Sequence, residues 1–276
     1  MRKTIGRSAV LFTLVAAAAC SDNNVPTGPV RPSPDALNGI VQLDRNTIPG
    51  KHVQIVRSTG DILPAINNYR DLLGPLNPNT PGEKVNGRRE INWDGVPAAF
   101  SDNDLFPGNF FNVNSPRGVL FSTNGFGFRN SSTGYTDVNP QYAGEFNTFS
   151  PAKLFVARGS TIIDVQFVVA GSNTPAVTTG FGSVFADVGR AHSTTIEYFD
   201  ALGRSLLTIT APRRSDARGL SFAGAVFAEA VVARVRITAG DTPVDAAAFD
   251  NVKGAGKKRD IVATDDFIYG EPHQRN

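Results

Sequence analysis

The 276-residue sequence predicts an all-β fold: an antiparallel, jelly-roll-like sandwich with one short N-terminal amphipathic helix. From position 89 onward, short apolar or alternating runs recur between Gly, Pro, Asn and Asp residues, and no helical pattern separates them. This arrangement favours antiparallel pairing of strands that follow one another in the chain. The strand-rich part is about 180 residues long, a suitable size for a two-sheet sandwich.

The first 19 residues have the organisation of an export signal. Arg2, Lys3 and Arg7 form a basic start, and the stretch 9–19 is apolar, uncharged and too short for a membrane-spanning helix. It ends at Cys20, the only cysteine of the chain. The pattern resembles a bacterial lipoprotein signal, whose cysteine becomes the lipid-bearing first residue. An ordinary A-x-A secretory site, which would leave a free thiol, is the alternative.

Lipidation of Cys20 would anchor the protein to the bacterial cell envelope after export, with the outer membrane or the cell surface as the expected location. Removal of residues 1–19 takes away three positive charges and no negative ones, so the formal net charge falls from +2 to −1. A nearly neutral mature chain gives no electrostatic reason to expect nucleic acid as a partner.

The mature chain divides into four predicted parts. Residues 20–36 are Pro-rich and have little to bury, so they are expected to form a flexible tether. Residues 37–87 form an N-terminal segment with one helix, packed on the sandwich. The sandwich itself is assigned to residues 88–272, and residues 273–276 form a short tail.

The helix in the N-terminal segment is predicted from its periodicity. Four apolar residues recur at spacings of four, three and four positions, which is one face of a helix: Ile62, Ile66, Tyr69 and Leu73. Its capping residue is expected to be Ser58, Thr59 or Asp61, and Pro64 suits the first turn. Gly74, followed by proline, ends it.

The strands of the sandwich are predicted from apolar runs bounded by turn residues. Alternation is clearest at Ala233, Val235 and Ile237, and Gly203 is expected to supply a positive φ in a hairpin between two strands. The predicted strands are Glu90–Asp94, Gly118–Ser122, Gly125–Arg129, Ile162–Ala170, Val177–Asp187, Thr194–Asp200, Ser205–Thr210, Leu220–Phe227, Val231–Thr238 and Ile261–Tyr269.

A family resemblance rests on several phrases of the sequence. Residues 180–272 contain GFGSVFADV, TTIEYFDALGRSLLT, GLSFAGAVF, VARVRITAG and VATDDFIYGEP, and GRREINWDGVP and FFNVNSPRGVLFST precede them. These phrases resemble a family of secreted bacterial proteins, some with a PEP-CTERM sorting tail. The resemblance implies a sandwich similar to galactose-binding and carbohydrate-binding modules, and it implies no established activity. Since this chain ends in EPHQRN without an apolar tail, attachment is expected through Cys20 instead.

Calcium is the predicted cofactor, in a structural role. The acidic candidates lie in the first and last strands of the sandwich, which are often neighbours: Asp265, Asp266, Glu90 and Asp94. Strand alternation would turn only one of the two adjacent aspartates inward, and an inward carboxylate needs a partner. A Ca²⁺ ion would be one such partner, and Arg88 or Arg89 would be another.

Sugar binding would need exposed aromatic rings with polar neighbours. Tyr135 and Tyr142 are candidates because they lie in long predicted loops. Trp93, the only tryptophan, is flanked by Asn92 and Asp94, although packing in the core is the alternative for its ring.

Motifs of common enzymes are absent from the sequence, including G-x-S-x-G, H-E-x-x-H and the phosphate-binding G-x-x-x-x-G-K-[ST]. The sequence therefore favours a non-catalytic, exported protein that binds an extracellular or cell-wall glycan. The alternatives are a structural or adhesive surface protein with a protein partner, and a hydrolase with an unrecognised carboxylate pair.

Overall fold

The protein is described by a computed structural model over residues 52–214, 218–248 and 259–275. It is an all-β protein, as the sequence predicts. The proposed signal peptide (1–19), Cys20 and the tether (20–36) lie outside the described residues. Within the described ranges, no helix is long and apolar enough to cross a lipid bilayer.

Fourteen strands and two α-helices are present in the described residues. The helices are α1 (Leu63–Leu73) and the four-residue α2 (Phe110–Val113). The strands are β1 (Val53–Thr59), β2 (Arg88–Ile91), β3 (Val119–Ser122), β4 (Gly127–Ser131), β5 (Leu154–Arg158), β6 (Ile162–Phe167), β7 (Ala176–Val177), β8 (Gly180–Ala186), β9 (Thr195–Phe199), β10 (Ser205–Thr210), β11 (Leu220–Phe227), β12 (Arg234–Thr238), β13 (Ala263–Gly270) and β14 (His273–Gln274).

The strands form two large antiparallel sheets. The seven-stranded sheet has the order β1-β11-β8-β13-β5-β4, with β2 also paired to β13, and the five-stranded sheet has the order β10-β9-β12-β6-β3. Strands β7 and β14 form a separate pair. The predicted neighbourhood of the first and last strands of the sandwich is confirmed, since β2 pairs with β13 and Glu90 lies opposite Ile268. Strand β1, which lies in the predicted N-terminal segment, is an edge strand of the same sheet.

One hydrophobic cluster joins the two sheets. Alternate residues of β12 point into it, with Val235 and Ile237 fully buried between partly or fully exposed arginines. The larger sheet contributes phenylalanines of its central strands, including Phe181 and Phe267. The period-two pattern therefore marks the sheet that is covered on one side only.

Helix α1 covers part of the outer face of the seven-stranded sheet. The predicted stripe Ile62, Ile66, Tyr69 and Leu73 is buried against residues of β1, β8, β11 and β13. Glycines at the paired positions 182 and 224 let the Tyr69 ring approach the sheet, because an added Cβ would lie 3.0 and 2.8 Å from ring atoms. Ile62 occupies the N-cap without a side-chain cap, and Asp61 accepts only a long 3.4 Å bond from the Leu63 N–H.

The long connection between β4 and β5 covers another part of the same outer face. Its residues Tyr135 and Tyr142 join a third buried cluster with Leu154, Val156 and Ala186 of the sheet. Strands β8, β11 and β13 are consequently buried almost throughout their length. A helix and a folded loop on one face, and the second sheet on the other, leave these strands no solvent-facing side.

Candidate functional site

Loop 92–97, which follows β2, is held in place by the tryptophan within it. Trp93 has a φ of +65°, an unusual conformation for a bulky residue. Its indole ring stacks on Phe155 with the ring centroids 3.9 Å apart and an angle of 8° between the planes. The indole N–H donates a 2.9 Å hydrogen bond to the backbone oxygen of Asp265. The loop is thus fixed to β5 and β13 through one side chain.

The three aromatic residues predicted to contact a ligand are all buried. Trp93 is 1% exposed and is surrounded by phenylalanines. Its ring therefore packs in the core, which was the alternative interpretation of the sequence. The expectation that Tyr135 and Tyr142 are exposed is wrong, since they are 0% and 1% exposed. Their loop folds back onto the outer face of the larger sheet, where the apolar rings replace water over Leu154 and Val156. None of the three rings has an exposed face on which a sugar could stack.

Asp265 and Asp266 lie at an irregular position of β13. The pairing with β8 shifts between Thr264 and Phe267, so that one extra residue is accommodated in β13. At the same place, β13 changes its other neighbour from β5 to β2. The expectation that only one of the two carboxylates turns inward is wrong: Asp265 is 0% and Asp266 3% exposed. The bulge interrupts the alternation that the expectation assumed.

Ser150 brings the two carboxylates together. Its hydroxyl lies 3.2 Å from Oδ1 of Asp265 and 2.9 Å from Oδ1 of Asp266, and it is also within 3.0 Å of the backbone oxygen of Asn92. The N–H of Phe149 donates a 2.6 Å hydrogen bond to the other oxygen of Asp265. We call Asp94, Asp265, Asp266 and Ser150 the acidic cluster. Asp94 is included because a hydrogen bond from the Ser150 hydroxyl favours the ionised form of its carboxyl.

Burial dominates the electrostatics of the acidic cluster. It raises the pKa of Asp265 to about 9, and the neighbouring Asp266 carboxylate adds to this effect. Burial also raises the pKa of Asp266 to about 6, against the opposing hydrogen bond from Ser150. The pKa of Asp94 is raised for the same reason, although Ser150 and Lys153 counteract the shift. At neutral pH the Asp265–Asp266 pair therefore retains a shared proton.

Glu90, the fourth predicted calcium ligand, is bound by two arginines. Arg70 holds both of its carboxylate oxygens, at 2.9 and 2.8 Å, and Arg88 donates to Oε1 at 2.6 Å. These hydrogen bonds and charges lower the pKa of Glu90 despite its partial burial. Arg88 and Arg89 were the predicted alternative partners for an inward aspartate. Arg88 pairs with Glu90 and Arg89 pairs with Glu271 instead.

Of the four predicted calcium ligands, Asp94, Asp265 and Asp266 belong to the acidic cluster, and Glu90 is engaged by arginines. Calcium takes six to eight oxygen ligands. Both oxygens of Glu90 face arginines, and Asp265 and Asp266 accept protein hydrogen bonds. Across residues 52–214, 218–248 and 259–275, no three acidic, histidine or cysteine side chains are grouped to hold one metal ion. Calcium binding stays a prediction.

A cavity of about 330 Å³ is lined in part by loop 92–97. We call it the Phe110 cavity. The aromatic residues that line it are Phe100, Phe110, Phe111 and Trp93, of which Phe100 is the most exposed, and the polar ones are Asn92, Asn114, Ser115 and Arg117. The volume is within the range of small-molecule sites, which combine apolar walls with a few polar groups.

Helix α2 and the turn after it position the polar groups. The N–H groups of Asn114 and Ser115 donate to the backbone oxygen of Phe110, and that of Arg117 donates to Phe111. Pro116 prevents the helix from continuing. The Tyr269 hydroxyl of β13 donates a 3.0 Å hydrogen bond to the backbone oxygen of Arg117, which fixes this turn to the larger sheet.

The side-chain amides of Asn92 and Asn114 are exposed, and no described residue hydrogen-bonds to them. They are therefore free to bind a ligand. Asn114, Ser115 and Arg117 are not among the site residues predicted from the sequence. The available signal was the run FFNVNSPR, in which two aromatic residues are followed directly by amide, hydroxyl and guanidinium groups.

No family model, curated protein or solved structure matches the chain.

Proposed function

We propose that this protein is an exported, lipid-anchored member of the jelly-roll-like sandwiches and binds an extracellular or cell-wall glycan in the Phe110 cavity. The observation that carries the proposal is the combination of free amides at Asn92 and Asn114 with the aromatic wall of that cavity. Sugars present many hydroxyl groups and apolar C–H faces. Amides hydrogen-bond the former, and aromatic rings pack against the latter.

The lining of the cavity favours binding over hydrolysis. Its polar residues are two asparagines, a serine and an arginine, whereas glycoside hydrolysis usually requires two carboxyl groups beside the scissile bond. Asp265 and Asp266 are a close carboxylate pair, but they are almost completely buried. A substrate could reach neither group in this conformation.

We expect Asn114→Ala and Phe100→Ala to weaken glycan binding about tenfold each, the effect of losing one good hydrogen bond or one packed ring. Glycan arrays would identify the ligand for the soluble chain from Ser21 onward, which lacks the lipid-bearing Cys20, and calorimetry would measure the affinities. Asn67→Ala is the matched control, because Asn67 is an exposed asparagine on α1 that does not line the cavity. Absence of any glycan binding, or binding that neither variant weakens, would reject the proposal.

The lipid anchor makes a separate prediction for Cys20. Intact-mass analysis of the native protein should find residues 1–19 removed and an acylated Cys20 at the new N-terminus. In Cys20→Ala, lipid attachment and signal removal should both fail, and the unprocessed chain should accumulate. Normal cleavage of Cys20→Ala would instead indicate the ordinary secretory site, and an unmodified native N-terminus would contradict export.

A further inference from the structure

Arg117 carries a charge that the protein compensates only weakly. Its Nη1 donates to the Ser115 hydroxyl, which is neutral, and its guanidinium carbon lies 4.8 Å from the centre of the Phe111 ring. Its Nε–H is buried and finds no acceptor in the described residues. No carboxylate of the described residues forms a salt bridge with it.

Other buried arginines of the protein have acidic partners. Arg89 meets Glu271, and Arg129 meets Asp104 and Asp137. Burial lowers the pKa of Arg117, and the positive charge of the nearby Arg89 adds a smaller effect in the same direction. A partly buried cation without a counter-ion is costly to maintain, so a negative group beside it would be stabilised strongly.

Arg117 lies where its uncompensated charge can act on a ligand. It lines the same cavity as the free amides of Asn92 and Asn114. None of the residues that line this cavity is acidic, so no protein carboxylate competes for the guanidinium there. An acidic group that enters with the ligand would supply the missing negative charge to the guanidinium.

We infer that the glycan bound in the Phe110 cavity is acidic, and that the carboxylate of a uronate sugar pairs with Arg117. The inference rests on the proposed function and extends it by naming the class of glycan. Asn92 and Asn114 bind hydroxyl groups of the sugar, and Arg117 selects the charged ring over a neutral one of the same shape.

The test compares each uronate with its own uncharged form. Oligosaccharides of glucuronate, galacturonate and mannuronate, each beside its methyl ester, are titrated into the mature protein by calorimetry. For at least one pair, the acid should bind about tenfold or more tightly than the ester, the usual advantage of a charged hydrogen bond. Its affinity should fall as salt is added, while that of the ester should not.

Variants then assign the selectivity to one residue. Arg117→Gln should remove the preference, so that the acid and the ester bind the variant with equal affinity. The near-ultraviolet circular dichroism spectrum of the variant, compared with that of the unmodified protein, shows whether it is folded. Arg236→Gln is the matched control, because Arg236 is exposed and pairs with Asp164 on the five-stranded sheet. Equal affinity for acid and ester, or a preference that survives in Arg117→Gln, would overturn the inference. Binding of neutral glycans alone would overturn it and leave the proposed function standing, whereas no binding to any glycan would reject both.

Discussion

Arg89→Met should lower the free energy of unfolding by about 3–5 kcal/mol, the usual cost of leaving one partner of a buried ion pair alone. Arg89 and Glu271 have side chains that are 0% and 1% exposed, and two 2.7 Å hydrogen bonds join them. The guanidinium also donates to the backbone oxygens of Pro78 and Pro116, both at 2.9 Å. One side chain therefore connects β2, the loop after α1 and the C-terminal end of β13.

Urea denaturation of single and double variants measures this effect. Glu271→Gln added to Arg89→Met removes the unpaired charge, so the double variant should be more stable than Arg89→Met alone. Recovery should be incomplete, because the backbone oxygens of Pro78 and Pro116 still lack a donor. Arg236→Met is the control: its pair with Asp164 is 44% exposed on the arginine side and should cost less than about 1 kcal/mol. Equal losses in Arg89→Met and Arg236→Met would contradict the assignment.

The sequence is most informative where one strand face meets solvent. The predicted strand Ser205–Thr210 matches β10, which is partly exposed, and Gly203 has the predicted positive φ of 76° in the hairpin between β9 and β10. Turn residues and alternation are local signals, so they predict structure without knowledge of which distant parts of the chain pack together. Strand β5, in contrast, was not predicted. Its sequence LFVAR is buried throughout, so it has no alternation to reveal it.

The candidate site was only partly predictable, because its geometry depends on contacts between distant parts of the chain. The pairing of β2 with β13 correctly brings Asp265 and Asp266 close to the residues after β2. The bulge that turns both carboxylates inward has no local signature in TDDFIY. The burial of Tyr135 and Tyr142 likewise requires knowledge of which sheet face their loop covers. The burial of these side chains depends on packing between distant parts of the chain, and residue type alone does not predict it.

A second large effect is expected from pH. The pKa values of Asp265 and Asp266 are raised above their unfolded value near 4, so the folded state binds more protons between that value and the folded values of about 6 and 9. The contribution of this pair to stability is complete at low pH and is lost as pH rises. Glu90 and Asp137, whose pKa values are lowered, act in the opposite sense only in acid. Between about pH 5 and 9, the free energy of unfolding should therefore fall by several kcal/mol.

Asp265→Asn should flatten this pH dependence, because an asparagine amide can donate to the Asp266 carboxylate as the protonated Asp265 does. At pH 8 to 9 the variant should be more stable than the unmodified protein, as measured by urea denaturation across the pH range. Asp71→Asn, at an exposed position of α1, is the matched control and should leave the curve unchanged. Parallel curves for Asp265→Asn and the unmodified protein would contradict a shared proton.

The same denaturation experiment, repeated with calcium or a chelator, tests whether the buried carboxylate pair binds calcium. If the buried pair is neutralised by a proton, calcium or a chelator should leave the unfolding midpoint at pH 8 unchanged. If it is neutralised by calcium, the ion should raise the midpoint at pH 8 in the unmodified protein and not in Asp265→Asn. A proton and a divalent cation compete for the same carboxylate oxygens, so stabilisation by calcium should grow as pH rises. The direction of that dependence distinguishes the two ways of compensating the charge of Asp265 and Asp266.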